Sequence, residues 1–464
     1  MKTLINNIYA LVALIMVTSC GLDDIPNPNA PTIGSFENGA TKADLDVLVV
    51  GLEAVSRNDL HFHYQTTSIL ARDYYDLTGI DPRFTQEILK GPLDNNGFLT
   101  TRSYSAWYKI VQSANLLELA IDNSITDLSD EEINGYYAFA KTMKAYALLM
   151  VANRQYTNGI RIEVSDKDNL GAFQSYTDAL SDIRSLLNEA NDHLTDAGAT
   201  FSFPLSDGFG GATGTIIPVV GDDDIVETFD IPSGFAKFNR AIAARAAIYQ
   251  GNKADVLTLL GQSFMDLTAP LDREVAHVFG QGGNELTNSQ YYIPNQSANQ
   301  FMAHDSWYDD AEVGDNRLSK VGLFMEENAD GDVVPTRQSF DGLSADYQVR
   351  LYSSLTDPVT MIRNEELILL YAEANIGTDN AEAIAALDVI RTAAGLLPYS
   401  GATTDAALED ELLVQRRYSL FGEGHRWVDL RRFNRMDEIP LDRAGDNVID
   451  AFPTPVNENE VLGG

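Results

Sequence analysis

The sequence has few of the residues on which many protein chemistries depend. Its 464 residues include one cysteine, which excludes an internal disulfide and cysteine-based zinc or iron–sulfur sites. The six histidines are scattered along the chain. Basic residues are scarce, because 32 Lys and Arg stand against 68 Asp and Glu and leave a net charge of −36. Nucleic acids and anionic membrane surfaces bind basic patches, so the charge argues against both as broad partners.

Long apolar runs and familiar catalytic motifs are also missing. The run Ile8–Val17 is too short to span a bilayer as a helix, which needs about 20 residues. After a positive start, such a run is typical of a secretory signal. The chain has no G-x-S-x-G elbow, H-E-x-x-H helix or Walker loop. With 68 acidic residues, carboxylate pairs of the glycosidase kind arise by chance, so we expect no enzyme.

The single cysteine lies where a lipid anchor would be attached. Val17-Thr18-Ser19-Cys20 resembles the lipobox of bacterial lipoproteins, in which the signal is cut before a cysteine that becomes lipidated. The resemblance implies a signal peptide over 1–19 and a lipidated Cys20. The acidic pair after Gly21-Leu22 resembles the surface-export signal of Bacteroidetes lipoproteins, which implies an outer-membrane protein that faces the exterior. The alternative is an ordinary secretory signal with an incidental cysteine.

Hydrophobic periodicity predicts a mainly α fold. Residues 20–40 are rich in Pro, Asn and Gly and indicate an extended, lipidated tether. The rest, 41–464, is expected to be one domain in which helices come in neighbouring pairs of tetratricopeptide type. The helical scaffold is predicted over about 41–198, 234–265 and 361–433. An irregular, loop-rich region with short β-hairpins, over about 266–360, is expected to carry the ligand face.

Several local signals refine this scheme. Ser129 followed by Glu132 is a capping-box pattern at a helix start. Ala236, Ala243, Ala244, Ala246 and Ala247 indicate a small-residue helix that can pack closely on a neighbour. Two further helices are predicted over about 364–376 and 380–394, and Gly251-Asn252 and Gly377 mark helix ends.

The C-terminal third resembles the SusD/RagB family. Three of its segments resemble family helices: Ile362–Ala374, Leu387–Leu396 and Arg416–Arg432, the last with Glu423-Gly424-His425-Arg426-Trp427. Pro453-Thr454-Pro455 resembles the family's closing motif. The resemblance implies a lipoprotein that binds oligosaccharides and passes them to a SusC-like TonB-dependent transporter, without catalysis or a cofactor. Three positions depart from the family pattern: Gln415, Ser419 and Gly422.

The arginines of the Arg416–Arg432 segment allow two interpretations. In a very acidic protein they would form either an anion site for substrate or a structural ion-pair network, because guanidinium groups pair bidentately with carboxylates. We favour the network, and we expect Trp427 and Trp107 to belong to the core. His61 and His63 would be half a metal site, but no third ligand is evident, so a satisfied or exposed pair is favoured. Residues 329–332 imitate a calcium loop but are better interpreted as a hairpin turn.

Sugar binding is the function for which the sequence offers candidate residues. Sugar rings stack on aromatic rings while their hydroxyls bond to carboxylates, amides and guanidinium groups, so exposed aromatics on loops are expected. The predicted ligand residues are Trp307, Tyr308, Asp305, His304, Tyr291, Tyr292, Tyr74 and Tyr75. The alternatives are peptide capture by a RagB-like member of the family, a secreted glycoside hydrolase, and a purely structural helical-repeat adaptor.

Overall fold

The N-terminal half of the protein is a series of helices. The computed structural model describes Phe36 and residues 39–166, 168–210 and 228–460. The first helices are α1 (Lys42–Ser56), α2 (Leu60–Leu70), α3 (Glu87–Lys90), α4 (Phe98–Asp122), α5 (Asp130–Gln155) and α6 (Tyr176–Thr195). The predicted signal peptide, Cys20 and nearly all of the predicted tether lie outside the described residues.

The second half alternates helices with short strands. Its helices are α7 (Pro232–Tyr249), α8 (Lys253–Gln262), α9 (Asp305–Asp309), α10 (Asn364–Asn375), α11 (Asn380–Ala393), α12 (Asp405–Ser419), α13 (His425–Arg432) and α14 (Val456–Glu460). Between 266 and 360 the described chain holds strands, loops and the five-residue α9.

Each long helix packs chiefly on its neighbours along the chain. α4 packs on α5, α5 on α6, α6 on α7, and α7 on α8, while α10 packs on α11 farther on. Serial packing of this kind is characteristic of helical-repeat scaffolds, in which each unit buries the apolar face of the next. The prediction of a mainly α fold with tetratricopeptide-like helix pairs is confirmed.

Local sequence signals explain where these helices begin and which faces they bury. At α5 the predicted capping box is present: the Glu132 N–H donates to Ser129 Oγ at 3.2 Å, and the Ser129 N–H donates to the Glu132 carboxylate at 3.0 Å. The alanines of α7 are almost all buried, which lets neighbouring backbones approach closely. Within the described ranges, no helix is both long and apolar enough to cross a membrane.

The strands form small antiparallel sheets beside the helices. They are β1 (Tyr74–Asp76), β2 (Ile160–Arg161), β3 (Phe173–Gln174), β4 (Glu274–His277), β5 (Phe301–Ala303), β6 (Val321–Leu323), β7 (Met325–Glu327), β8 (Val333–Pro335), β9 (Gln338–Phe340), β10 (Leu343–Ala345), β11 (Tyr347–Val349) and β12 (Val359–Arg363). The largest sheet has four strands in the order β1-β5-β11-β6. In it, Tyr75 faces Met302, and Met302 faces Gln348.

The region that imitates a calcium loop is a β-hairpin. β7 and β8 pair antiparallel, and Glu327 faces Val333 across the turn. The Asn328 side chain closes the turn by accepting the N–H groups of Asp330 and Asp332, each at 2.9 Å. Gly331 adopts a φ of +85°, a conformation that glycine tolerates at little cost. The hairpin prediction is confirmed.

Arginines of the C-terminal block tie helices together. Arg416 Nε donates to Asp429 at 2.7 Å, and the two side chains are only 1% and 4% exposed. Arg432 bridges Glu373 and the same Asp429 at 2.7 and 2.9 Å. Removing one partner from a buried pair leaves an uncompensated charge, so such pairs hold their elements in place. The structural network is confirmed for these residues.

Two tryptophans and one histidine belong to the core. Trp427 is fully buried and donates from Nε1 to the Ile449 carbonyl at 2.7 Å. Trp107 is also buried and donates to Nδ1 of His63 at 3.2 Å. Burial lowers the pKa of His63 to about 3, so its ring is neutral. Both tryptophan predictions are confirmed, and His63 is a satisfied core residue. Among the described residues, no group of three or more His, Cys, Asp or Glu is placed to hold a metal ion.

One departure from the family pattern has a clear structural reason. Gly422 has a φ of +75°, and a Cβ there would lie 2.5 Å from Cδ1 of Leu351. A phenylalanine would be both strained and obstructed at this position. At Ser419 the hydroxyl accepts a hydrogen bond from Arg317 at 3.0 Å, and Arg317 forms its ion pair with Asp315.

Candidate functional site

Most of the predicted ligand residues lie around the four-stranded sheet. Tyr74 and Tyr75 form part of β1, and His304 follows β5 directly. The main-chain N–H of His304 donates to the Asp73 carbonyl at 3.0 Å, which extends the β1–β5 pairing by one step. The segment that continues from β5 forms α9, which carries Asp305, Trp307 and Tyr308. Residues distant in sequence are therefore close in space, but their exposures differ.

The expectation that Trp307 presents an exposed stacking face is wrong. Its side chain is 0% exposed, and its ring lies 4.3 Å from the ring of Phe421 and 5.3 Å from that of Tyr418. Successive residues of a helix point in directions about 100° apart. On α9 this turn sends Trp307 into the core and leaves Tyr308 partly exposed.

Tyr292 and Tyr74 are buried as well, so the expectation that they contact a ligand is also wrong. Tyr292 is 5% exposed, and its ring stacks on Phe301 with centroids 4.0 Å apart. Its hydroxyl accepts a hydrogen bond from Gln65 at 3.0 Å. Tyr74 is 1% exposed and meets the edges of Phe301 and Phe421. These rings form the apolar side of the sheet, where hydrophobic burial outweighs exposure.

Tyr75 and His304 are held by one carboxylate at the sheet edge. Tyr75 is 2% exposed and its hydroxyl donates to Asp442. His304 Nδ1 accepts the Ser306 N–H at 3.1 Å, so Nε2 carries the proton and donates to Asp442 at 3.1 Å. The hydrogen bond from His304 is the main cause that lowers the pKa of Asp442. Tyr75 therefore has no face for a ligand, and His304 has both nitrogens occupied.

Tyr308 is a partly exposed aromatic of the predicted set, and a second ring stacks on it. Tyr347 of β11 stacks on Tyr308 with centroids 3.9 Å apart and ring planes 14° from parallel. Both side chains are partly exposed. We call Tyr308 and Tyr347 the tyrosine platform. Because α9 follows β5 and β5 pairs with β11, the sheet brings the two rings together.

A fixed guanidinium with carboxylates on two sides lies beside the tyrosine platform. Arg337 bonds to Asp305 and to Asp346, and its Nε donates to the Ser344 hydroxyl at 3.0 Å. The side chains of Arg337, Asp305 and Asp346 are 43%, 37% and 42% exposed. The hydrogen bond to Asp305 is the main cause that raises the pKa of Arg337. Asp305 is one helical turn before Tyr308, and Asp346 directly precedes Tyr347, so the polar groups border the rings.

This arrangement has the chemical parts of a sugar-binding surface. A partly exposed ring offers an apolar face, while carboxylates and a guanidinium beside it accept from and donate to hydroxyl groups. Burial, aided by the hydrogen bond with Tyr308, raises the pKa of Tyr347 to about 12. The Tyr347 hydroxyl is therefore protonated at neutral pH and is able to donate.

Tyr291 belongs to a different part of the surface. It is partly exposed and its N–H donates to the Asn288 carbonyl at 3.2 Å. The segment before it, 286–290, lines a cleft of about 350 Å³ at the start of α2, together with His61 and Arg102. This cleft is rich in amides and charged groups, but it has no stacked aromatic pair.

Three residues of the platform region were missed by the sequence reasoning: Arg337, Asp346 and Tyr347. Side chains alternate between the two faces of a strand, so Tyr347 is expected on the opposite face of β11 from Gln348. Its contact with Tyr308 depends on the β5–β11 pairing, which no local pattern encodes.

Comparisons with known proteins give a match to one family model and several structural likenesses. Residues 326–457 match the sequence model of the SusD family. Surface glycan-binding protein A from Bacteroides thetaiotaomicron, solved in complex with laminarihexaose, is similar with a TM-score of 0.64 and 13% identity, covering 92% of this chain and 98% of that chain. The corresponding protein from Bacteroides fluxus is similar with a TM-score of 0.64 and 15% identity, covering 92% and 97%.

A SusD superfamily protein from Bacteroides vulgatus is similar as well, with a TM-score of 0.63 and 15% identity, covering 90% of this chain and 96% of that chain. At such identities the likeness shows the fold. No curated protein sequence matches the chain. The chain is thus similar to the SusD family in sequence over 326–457, and it shares the fold of a SusD superfamily structure over most of its length.

Proposed function

We propose that this protein is a surface lipoprotein that captures oligosaccharides at the tyrosine platform and passes them to a SusC-like TonB-dependent transporter. The observation that carries the ligand site is the stack of Tyr308 on Tyr347 beside the Asp305–Arg337–Asp346 cluster. A sugar ring would lie on a tyrosine face, and its hydroxyls would bond to the neighbouring carboxylates.

The rigidity of the platform favours selective binding. Asp305 and Asp346 are both held by Arg337, which is also fixed by Ser344, so the polar groups need little reordering when a ligand arrives. Preorganised groups lose less conformational entropy on binding, which improves affinity for a given number of contacts.

The same geometry favours binding without chemical change. A glycosidase needs one carboxyl group that donates a proton to the leaving oxygen and a second that acts as nucleophile or base. Here Asp305 and Asp346 both accept hydrogen bonds from one guanidinium, so neither is arranged as an acid. We therefore propose that the ligand leaves the platform intact.

A lipid on Cys20 would hold the protein at the outer membrane with the platform facing the exterior. The lipobox-like Val17–Cys20 supports this location. Two glycan-binding proteins of similar fold, described as surface proteins, support it as well. Passage to the transporter would then need no release into bulk solution.

Binding by the protein lacking residues 1–20 to a panel of glycans tests the proposal, with a peptide mixture alongside. Affinity gels and calorimetry would measure the dissociation constant for α- and β-glucans, fructans, mannans, chitin oligosaccharides, alginate and pectin. We expect a hit on one glycan that weakens about tenfold or more in Tyr347→Ala, as for an aromatic contact residue.

Tyr137→Ala is the matched control. Tyr137 is also a partly exposed tyrosine in a stacked pair, with His193 at 5.1 Å, but it lies on the α5–α6 scaffold. Equal loss in both variants would contradict the platform as the site. Retention of peptides with silence on every glycan would replace sugar capture by peptide capture.

A further inference from the structure

A pocket between α12 and α13 contains an arginine that forms no ion pair with any residue the structure describes. The pocket has a volume of about 350 Å³, and its apolar wall is formed by Leu413, Val414 and Leu430. Arg417 and Arg426 also line it, from the last turn of α12 and the first turn of α13. We call this cavity the arginine pocket.

Most charged groups at the arginine pocket are already paired. Arg435 is bound by Asp410 at 2.5 Å and by Glu438 at 3.2 Å. Asp429, which also lines the pocket, is bound by arginines outside the lining, as described above. The charges of Arg435 and Asp429 are therefore balanced by their neighbours.

Arg417 is only partly satisfied. Its Nη1 pairs with Asp310 at 3.0 Å, and its Nη2 donates to the Ser306 hydroxyl at 2.8 Å. Its Nε is shielded from solvent and has no hydrogen-bond acceptor among the described residues. Arg417 therefore adds positive charge to the pocket wall, while its outer nitrogens are already bound.

Arg426 is the group without a close ion pair among the described residues. Its Nε and Nη1 are shielded from solvent without an acceptor, and within the described ranges no carboxylate oxygen lies within 4.0 Å of its guanidinium. Asp73 attracts it from a greater distance, and both Asp73 oxygens are shielded from solvent. Burial lowers the pKa of Arg426 to about 10, which leaves it charged at neutral pH. Unpaired buried charges of this kind call for a ligand, an ion or water.

We propose that the arginine pocket binds a small monocarboxylate, such as a hexuronate, with Nη2 of Arg426 as the donor. Hydrogen bonds between a guanidinium and a carboxylate are charge-assisted, and Leu413, Val414 and Leu430 would cover the carbon skeleton. Among the described residues Arg426 has no carboxylate within 4.0 Å, while the carboxylates of Asp410 and Glu438 lie at the same pocket. This balance favours a monoanion over dianionic phosphate.

The site is independent of the tyrosine platform but is joined to it by one helix. Arg417 binds Ser306 and Asp310, which lie at α9, and α9 also carries Tyr308. The proposal therefore goes beyond oligosaccharide capture, and its failure would leave the platform unaffected.

Calorimetric titration of the full-length chain in neutral detergent with D-galacturonate tests the proposal, with D-galactose and inorganic phosphate as separate probes. We expect saturable binding of galacturonate, binding of phosphate at least tenfold weaker, and no binding of galactose. Absence of galacturonate binding would overturn the proposal. Equal binding of galactose would overturn the role of the carboxylate, and equal binding of phosphate would overturn the preference for a monoanion.

Three variants locate the site. Arg426→Gln is expected to weaken galacturonate at least tenfold, and Arg426→Lys to recover part of the loss by restoring the charge. Val414→Trp should abolish binding by filling the pocket. Val414 is 44% exposed, so the fold should accommodate the larger side chain, and a melting curve checks this. Tyr137→Ala, on the α5–α6 scaffold, should bind galacturonate as the wild type does. If Arg426→Gln does not fold, the galacturonate affinity of Val414→Trp tests the site alone. Unchanged galacturonate binding in either folded variant would refute the site.

Discussion

Replacement of Trp307 by alanine separates a core role from a ligand role. The Trp307 side chain is 0% exposed and contacts the rings of Tyr418 and Phe421. Large-to-small changes of a buried tryptophan cost about 3–5 kcal/mol, because transfer energy is lost and a cavity remains. We expect Trp307→Ala to lower the free energy of unfolding by this amount. Any loss of glycan binding in this variant would follow from the loss of the fold around α9.

Trp307→Phe provides the comparison. The Trp307 Nε1 is buried without an acceptor, and an unsatisfied buried donor costs about 1–3 kcal/mol. Phenylalanine removes this donor and keeps most of the ring, so we expect a net destabilisation of about 1–2 kcal/mol or less. Urea unfolding followed by circular dichroism measures both variants. A Trp307→Ala protein within about 1 kcal/mol of the wild type that has lost glycan binding would refute the reasoning and restore Trp307 as a ligand residue.

Three further predictions test the fold. Gly422→Ala should lower stability by about 1–3 kcal/mol in urea unfolding, because the φ of +75° and the approach of Leu351 both oppose a Cβ; an unchanged midpoint would contradict this. Arg245→Met should cost about 3–5 kcal/mol, since it leaves Glu366, its partner at 2.5 Å, buried and unpaired; thermal melting measures it, and Arg83→Met at an exposed pair is the control. Burial lowers the pKa of His63 and His277 to about 3, below the unfolded value of about 6.5, so their contribution to stability is complete above pH 6.5 and is lost as the pH falls toward 3. His63→Gln should reduce the slope of stability against pH between 6 and 4 by about 1.4 kcal/mol per unit, and an unchanged slope would show that His63 does not titrate differently on unfolding.

Patterns within single helices allowed much of the scaffold to be predicted. The capping box at Ser129 and the helix ends at Gly251 and Gly377 depend on residues a few positions apart, and the structure has them where expected. The buried pair of Arg416 and Asp429 is also local, because α12 and α13 are joined by a short turn. Local physics decides these features, so sequence alone is sufficient for them.

The candidate site was predictable only in part. α9 is five residues long, too short for periodicity to show that Trp307 points inward and Tyr308 outward. Tyr347 meets Tyr308 because β11 pairs with β5, and Tyr74 is buried because β1 pairs with the same strand. Such pairings depend on the register of distant strands, which hydrophobic patterns do not specify.

The order of strands in the four-stranded sheet determines when, during synthesis, the protein can form its proposed ligand site. β1 and β5 are more than two hundred residues apart in the chain, whereas the helices of the scaffold meet their immediate neighbours. Local contacts form early, while contacts between distant segments await the closure of a long loop. A chain that emerges from its N-terminus can thus stack its first helices at once, but the two rings of the platform meet only after β11 has emerged. A growing chain is therefore expected to bind ligand at the platform only after β11 has been synthesised.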